Sequence, residues 1–138
     1  MNPVRIQIRS MLTPLPASTG FRALFKVDPG FMLFPDHFPG RPVMPGICLV
    51  QAVLLAGEAW LGGTMLQLET LRNAKFLGIV QPGDEVVIEG SVSRHDDRWV
   101  LIEADLRSGG KRIAQISLTA SHSLSADGNA VAAGGDPA

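Results

Sequence analysis

Residues 34–46 read Phe34-Pro35-Asp36-His37-Phe38-Pro39-Gly40-Arg41-Pro42-Val43-Met44-Pro45-Gly46 and run straight into an apolar segment, residues 47–61. The prolines make the turn stiff, because each one fixes φ and removes a backbone N–H donor. The segment that follows is apolar nearly all round, which is typical of a helix that is covered on most sides. The sequence therefore predicts a titratable imidazole, that of His37, close to the first turn of a buried core helix.

Strand-like patterns surround this helix. Residues 4–9 alternate apolar and polar side chains and predict a half-buried strand. Residues 13–20 are rich in breakers and predict a turn or loop, so that residues 21–27, the next predicted strand, complete a hairpin with a long loop. Gly62-Gly63 predicts the end of the helix. Further strands are predicted at residues 67–77 (the least regular), 85–92, 99–106 and 112–120, with turns at residues 81–84, 94–98 and 108–111.

This order of elements predicts an α+β fold in which one curved antiparallel sheet wraps around one long apolar helix. Residues 1–122 are expected to form a single domain, which fits the length of the chain. Residues 123–138 are mostly Ala, Gly, Asp and Ser, and they are predicted to form a disordered tail because their apolar surface is too small to offset the entropy of ordering. The open edges of such a sheet can pair with a partner chain.

The composition limits the classes of partner. Of the 138 residues, 46% are hydrophobic and 18% are charged, and the formal net charge of −1 does not favour binding to nucleic acid. The apolar segment contains Gln51, Gly57 and Glu58 and falls short of a membrane span. A lone cysteine, Cys48, excludes a disulfide within the chain, and the first residues do not read as a signal peptide. A reducing, cytoplasmic location is therefore expected.

A histidine beside the start of a helix is suited to chemistry on a carbonyl group. An unperturbed histidine titrates near neutral pH, so His37 is a candidate for taking up and returning a proton. The first N–H groups of a helix lack partners and carry partial positive charge, which polarises a nearby carbonyl. No spacing of His, Cys, Asp and Glu predicts a metal site, no glycine-rich phosphate loop is present, and no cofactor is expected.

The run His37-Phe38-Pro39-Gly40-x-Pro42-Val43-Met44-Pro45-Gly46 resembles the signature of the 3-hydroxyacyl-acyl-carrier-protein dehydratases of fatty acid synthesis. Asn73-Ala74-Lys75-Phe76 and Pro82-Gly83-Asp84 resemble the second block of that family, and the resemblance covers residues 21–120. It implies the hot-dog fold and dehydration of a 3-hydroxyacyl thioester that is borne by acyl carrier protein or coenzyme A. It also implies a homodimer, or a higher oligomer or heteromer, in which His37 of one subunit faces Gln51 of the other.

The resemblance assigns roles to the residues of this motif. His37 would remove the proton next to the thioester carbonyl, and the Gly46 N–H would bind the carbonyl oxygen. Apolar residues of the helix would line an acyl tunnel. Substrate contacts are implied for Phe38, Pro39, Gly40, Pro45 and Ile47. Each residue type also has a purely structural interpretation: a hydrogen-bonded histidine in a turn, a glycine that close packing requires, and prolines that only stiffen the loop.

Two departures from the family pattern bear on function. The family carries Asp or Glu fourteen residues after its histidine, whereas this chain has Gln51. A primary amide has no useful acid proton, so Gln51 can bind a leaving hydroxyl group but cannot protonate it. The start of the chain also looks shortened, which is similar to dehydratase-like hot-dog proteins of aryl-polyene and other specialised lipid pathways.

Gln51 leaves three functions open. The first is a dehydratase of low activity, with His37, Gly46 and Gln51 as its catalytic residues. The second is a non-catalytic acyl-thioester binding protein or partner subunit, to which a related chain supplies the acid. The third is a hot-dog thioesterase. Glu58 lies roughly 10 Å further along a helix than Gln51 and is not expected to replace the acid, and Cys48 is expected to be a buried structural thiol.

Overall fold

Helix α2 (Gly46–Trp60) is the central element and contacts all six strands of one sheet. The structure, a computed structural model, describes residues 2–95 and 97–122. The remaining elements are, in chain order, α1 (Pro3–Ser10), β1 (Leu12–Leu15), β2 (Phe21–Lys26), β3 (Leu66–Phe76), β4 (Glu85–His95), β5 (Trp99–Ser108) and β6 (Lys111–His122). The predicted core helix and the predicted strands in the second half of the chain are therefore confirmed.

The six strands form one antiparallel sheet in the order β1-β2-β4-β5-β6-β3. This arrangement confirms the predicted α+β architecture, a curved sheet around one helix. Strands β2, β5 and β6 alternate buried side chains with more exposed ones, and in β5 the buried positions are Val100, Ile102, Ala104 and Leu106. These side chains belong to the same hydrophobic core as the buried residues of α2, so the inner face of the sheet packs on the helix. Strands β1 and β3 are the two edges.

Helix α2 has ends that its sequence specifies. Pro45 precedes the first turn in an extended conformation, with φ −60° and ψ 140°. Gly62 and Gly63 follow the last turn with φ of 82° and 90°, and their N–H groups donate to the carbonyls of Ala59 and Glu58. Glycine adopts this left-handed conformation at little cost, which is why the helix stops there.

The prediction of a strand at residues 4–9 is wrong, because this segment lies within helix α1. The side chain of Asn2 accepts a hydrogen bond from the Val4 N–H at 2.8 Å, and a proline occupies the first turn, so the start of the helix is well capped. Arg5 and Arg9 are four residues apart and thus share one helix face, from which both reach Glu58 of α2. These ion pairs with a distant residue favour a helix although apolar and polar residues alternate along the segment.

The prediction of a loop over residues 13–20 is wrong at its start, because β1 includes residues 13–15. Proline is tolerated there because β1 is an edge strand, and Pro14 lies opposite Ala23 of β2. The hairpin is therefore formed by β1 and β2 rather than by residues 4–9 and 21–27. Strand β4 also continues to His95, into the predicted turn at residues 94–98.

The irregular pattern of apolar residues in β3 has a structural cause. Its pairing with β6 shifts register between Leu68 and Thr70 and again between Leu71 and Asn73, which interrupts the period of two. The predicted tail, residues 123–138, lies outside the described residues. Within the part of the chain that the structure describes, neither helix has the length and apolar character that a bilayer crossing requires.

Candidate active site

The turn that carries the histidine is held by its own backbone. The His37 N–H donates to the Phe34 carbonyl at 3.2 Å, and the Val43 N–H donates back to the His37 carbonyl at 2.9 Å. The Met44 N–H donates to the carbonyl of Val80 at 2.7 Å. Val80 directly precedes the predicted turn at residues 81–84. These bonds bring together the two sequence blocks on which the resemblance rests.

The imidazole of His37 has a defined tautomer. Its Nδ1 lies 3.2 Å from the backbone carbonyl oxygen of Val43. A carbonyl oxygen only accepts, so the neutral ring carries its proton on Nδ1 and leaves an electron pair on Nε2. The ring is half-buried and stacks on Phe38, with 4.1 Å between the ring centroids. Both contacts fix the direction in which Nε2 can accept a proton.

Two residues, Met44 and Pro45, lie between Val43, whose carbonyl holds His37, and Gly46 at the start of α2. Pro45 offers no side-chain cap to the helix. The Cys48 N–H donates to the Pro45 carbonyl at 2.9 Å, but within residues 2–95 and 97–122 the Gly46 and Ile47 N–H groups have no acceptor. Unpaired donors at the positive end of a helix dipole are suited to binding a carbonyl oxygen that gains negative charge.

Gly46 is also required by packing. A β carbon at this position would lie 2.9 Å from Cζ of Phe76 and within 3.2 Å of two further atoms of that ring. The aromatic ring therefore lies against the glycine, and any side chain here would have to displace it. The structural interpretation of Gly46 is thus supported, and it is compatible with a carbonyl-binding role because the N–H group is not covered by a hydrogen-bond partner.

Gln51 lies on the one face of α2 that its own sheet leaves uncovered. Residues 48–50 and 52–58 are buried, whereas Gln51 is half-buried and Ile47, one turn earlier, is 57% exposed. Residues four apart share a helix face, so both side chains point toward the same side. Within the described residues, no hydrogen bond joins Gln51 to His37 of the same chain. The meeting of Gln51 with His37 of a second subunit, which the resemblance implies, stays a prediction.

The other predicted substrate-contacting residues belong to the same turn or lie beside the helix start. Phe38 is 52% exposed, Pro39 and Gly40 are exposed at the tip of the turn, and Pro45 is half-buried beside the helix start. Their contacts with substrate remain predictions. Among the described residues, no group of three His, Cys, Asp or Glu side chains is placed to hold a metal ion.

Two other ionisable side chains of α2, those of Glu58 and Cys48, have structural rather than catalytic roles. The Glu58 side chain is 4% exposed. Its carboxylate accepts hydrogen bonds from the guanidinium groups of Arg5 and Arg9 and, at 2.9 Å, from the Leu66 N–H. It is therefore committed to joining α1, α2 and β3. Burial raises the pKa of the Cys48 thiol to about 11, so the thiol stays protonated and unreactive near neutral pH.

Sequence reasoning missed two parts of this site. It did not identify the Val43 carbonyl as the partner of His37, because a backbone acceptor leaves no side-chain signal. It also gave no role to Phe76, which contacts the helix start only because strand β3 ends there. Phe76, Leu77 and Ile79 are 46%, 61% and 56% exposed, so this segment presents apolar side chains at the surface.

Comparisons with known proteins show the family to which this chain belongs. Residues 16–110 match the family model ApeI-like, described as ApeI dehydratase. The chain is 34% identical over 120 residues to a 3-hydroxyacyl-[acyl-carrier-protein] dehydratase FabZ from Rickettsia africae, with 76% of this chain and 79% of the relative covered. It is 31% identical over 93 residues to a FabZ from Pediococcus pentosaceus, and there the match spans 62% of each chain.

Solved structures show the same fold. The dehydratase heterocomplex ApeI:P from Xenorhabdus doucetiae matches with a TM-score of 0.61 and 19% identity, over 80% of this chain and 99% of that one. Zebra fish thioesterase superfamily member 2 matches with a TM-score of 0.64 and 18% identity, over 88% of each chain. At these identities the likeness concerns the hot-dog fold alone.

Proposed function

Because this chain belongs to the ApeI-like dehydratase family, whose model spans residues 16–110, we propose that it converts 3-hydroxyacyl thioesters into 2-enoyl thioesters and water. Its relatives from Rickettsia africae and Pediococcus pentosaceus are 3-hydroxyacyl-acyl-carrier-protein dehydratases. A chain of this family with a histidine base and a helix N-terminus has the parts that the reaction needs. The pathway would be fatty acid synthesis or a specialised lipid pathway.

The observation that carries this proposal is the bond between Nδ1 of His37 and the Val43 carbonyl. It leaves Nε2 as the proton acceptor, close to a helix start whose N–H groups lack partners within the described residues. A base within reach of the C2 proton and a donor at the carbonyl oxygen are what α-proton removal requires.

The reaction can be written with His37 as the one group that transfers protons. Nε2 takes the C2 proton, and the electron pair of the broken C–H bond is delocalised toward the carbonyl oxygen, where the Gly46 N–H and the helix dipole stabilise the negative charge. The electron pair then forms the C2–C3 double bond while the C3–oxygen bond breaks. The imidazolium returns its proton to the leaving hydroxyl, and water departs with His37 neutral again.

Gln51 of a second subunit would hold the leaving hydroxyl group. Its amide can donate a hydrogen bond to that oxygen but supplies no proton, so the whole transfer falls to His37. Loss of a general acid typically costs about 10²–10⁴-fold in rate. The proposed enzyme is therefore slower than a relative with a carboxylic acid at this position.

A homodimer would complete this site. The outer edge of β3 has no partner strand within the described residues, and Leu71 on that strand is 42% exposed. An edge strand of this length that carries apolar side chains is normally covered by another chain. Pairing of two β3 edges would bring each Gln51 face toward the neighbouring subunit. The thioester would be borne by acyl carrier protein or coenzyme A in the cytoplasm, with no cofactor.

The proposal is tested by offering a 3-hydroxyacyl thioester on acyl carrier protein and on coenzyme A, while enoyl thioester and free acid are measured together. Enoyl product that disappears in His37→Ala supports the dehydratase. Free acid without enoyl product would instead indicate a thioesterase.

The absence of a carboxylic acid at Gln51 favours a second candidate, a non-catalytic acyl-thioester binding or partner subunit. The ApeI:P dehydratase from Xenorhabdus doucetiae, which shares this fold, is a heterocomplex. In this case the purified chain would bind thioester without forming either product. Activity would then appear only after addition of a related chain that carries Asp or Glu at the corresponding position.

A further inference from the structure

The segment that carries the candidate base has little regular structure of its own. Residues 29–43, all within the described part of the chain, include His37 but neither helix nor strand. Their internal hydrogen bonds are local, such as that from the Phe34 N–H to the Phe31 carbonyl at 3.1 Å. The position of His37 therefore depends on contacts between this segment and the elements around it.

One side chain of α1 makes two of these contacts. The Oε1 atom of Gln7 accepts a hydrogen bond from the Met32 N–H at 2.9 Å, and its Nε2 donates to the Gly30 carbonyl at 3.3 Å. Within residues 2–95 and 97–122, no other hydrogen bond joins residues 29–43 to a helix or strand. The Gln7 amide thus gives the backbone of this segment the donor and acceptor that a neighbouring strand would otherwise supply.

Helix α1 is a firm support for Gln7. Ile8, the next residue, is 0% exposed, and Met11 at the end of the helix is 6% exposed. The Met11 carbonyl also accepts a hydrogen bond from the Lys26 N–H of β2 at 2.9 Å. Gln7 itself is half-buried between this anchored helix and the segment.

A short series of contacts leads from Gln7 to the base. Gly30 and Met32 flank Phe31, which is 1% exposed and packs edge-on against Phe34 with 5.4 Å between the ring centroids. The Phe34 carbonyl in turn accepts the hydrogen bond from the His37 N–H. Fixing residues 30 and 32 therefore fixes Phe31, then Phe34, and through Phe34 the backbone of His37.

We propose that Gln7 is a positioning residue for the reaction, which holds residues 29–43 so that His37 keeps its bond to the Val43 carbonyl and its Nε2 directed at the substrate. This inference rests on the proposed function. Gln7 lies outside residues 16–110, which the family model matches, so the role follows from the contacts of this chain rather than from the family. A base must be held within about 0.5 Å of its productive position, and a misplacement of about 1 Å can cost about 100-fold in rate.

Kinetics of Gln7→Met test the role in turnover. Methionine has a similar length and helix propensity but can make neither hydrogen bond. The kcat for enoyl formation should fall on the order of 10-fold, because His37 is less well placed. The KM should change less than about twofold, because Gln7 is not expected to contact the substrate. Ser10→Ala is the control: it removes the bond from the Ser10 hydroxyl to the Gln7 carbonyl, at 2.6 Å, and should leave kcat unchanged.

Nitrogen NMR of the imidazole rings, recorded without substrate, tests the position of His37 independently of turnover. At about pH 8 an ordinary histidine is neutral, and its two nitrogen shifts show which atom carries the proton. Wild type and Ser10→Ala should carry it on Nδ1 of His37, whereas in Gln7→Met the form protonated on Nε2 should gain population. His95, which stacks on Trp99, and His122, at the end of β6, are the internal references.

The two measurements separate this inference from the proposed function. A changed His37 tautomer in Gln7→Met, together with a wild-type protein that dehydrates no thioester, would overturn the proposed function and support the positioning of His37 by Gln7. An active wild-type protein whose kcat is unchanged in Gln7→Met would overturn the inference. An equal fall of kcat in Ser10→Ala, or a His37 tautomer that is unchanged in Gln7→Met, would overturn it as well.

Discussion

Replacing Glu58 by glutamine is predicted to destabilise the protein by about 3 kcal/mol while leaving the catalytic groups in place. The carboxylate is 4% exposed and joins three elements through Arg5, Arg9 and the Leu66 N–H. Glutamine keeps the shape and can still accept from Leu66, but it leaves the cationic side chains without a counter-charge. Removing one partner of a buried pair typically costs about 3–5 kcal/mol.

The lower end of that range follows from the exposure of the two cations. The Arg5 side chain is 19% exposed, whereas the Arg9 side chain is 47% exposed and is partly screened by water. Most of the loss therefore comes from Arg5. For a chain of this size, about 3 kcal/mol corresponds to a fall in Tm of about 12 °C.

Thermal and urea unfolding of Glu58→Gln and Glu89→Gln measure the effect. Glu89 is the matched control, because it also pairs with two arginines, Arg22 and Arg107, but its side chain is 44% exposed. Loss of the Glu89 ion pairs should lower the free energy of unfolding by less than about 1 kcal/mol. Turnover of a short-chain thioester, measured well below both transitions, should be unchanged in both variants. Equal stability of the two variants would refute the assignment of Glu58 as a buried structural anchor.

Three further predictions concern the site and its surroundings. Gln51→Glu restores a carboxylic acid and should raise the rate of enoyl formation at least about 100-fold; a rate no higher than wild type would show that residue 51 does not contact the leaving hydroxyl. Cys48, whose thiol pKa is raised to about 11 by burial, should react with a disulfide reagent at about pH 8 only after unfolding; rapid labelling of the native protein would contradict its burial. Leu71→Lys places a charge on the exposed β3 edge and should yield monomers without dehydratase activity in analytical ultracentrifugation and enzyme assays; an active monomer would refute the shared site.

The sequence predicted the centre of this fold better than its beginning. Helix α2 was predictable because its sequence is apolar nearly all round. Strands β4 to β6 were predictable because apolar and polar residues alternate along them, as one buried sheet face requires. Helix α1 was mistaken for a strand because its decisive partner, Glu58, lies 49 residues after Arg9 in the sequence. Strand β1 was not predicted because it contains Pro14. In a sequence, proline indicates the end of a strand unless the strand is known to lie at the edge of a sheet.

The local parts of the candidate site were predictable from the sequence, and its contacts with distant segments were not. The turn with His37 and the helix start at Gly46 are local features, so their proximity follows from the sequence. The tautomer of His37 depends on the Val43 carbonyl, and the packing of Gly46 depends on Phe76 at the end of a distant strand. Neither contact leaves a pattern in the sequence.

Exchange of the C2 protons of a saturated acyl thioester with solvent deuterium tests the role of His37 most directly. This ligand has no hydroxyl group to lose, so the measurement isolates proton removal from the step that Gln51 would assist. NMR should detect exchange with the wild-type protein, equal exchange with Gln51→Ala, and exchange slowed at least about 100-fold with His37→Asn. The same rate for wild type and His37→Asn, including no exchange with either, would contradict the assignment of Nε2 of His37 as the base.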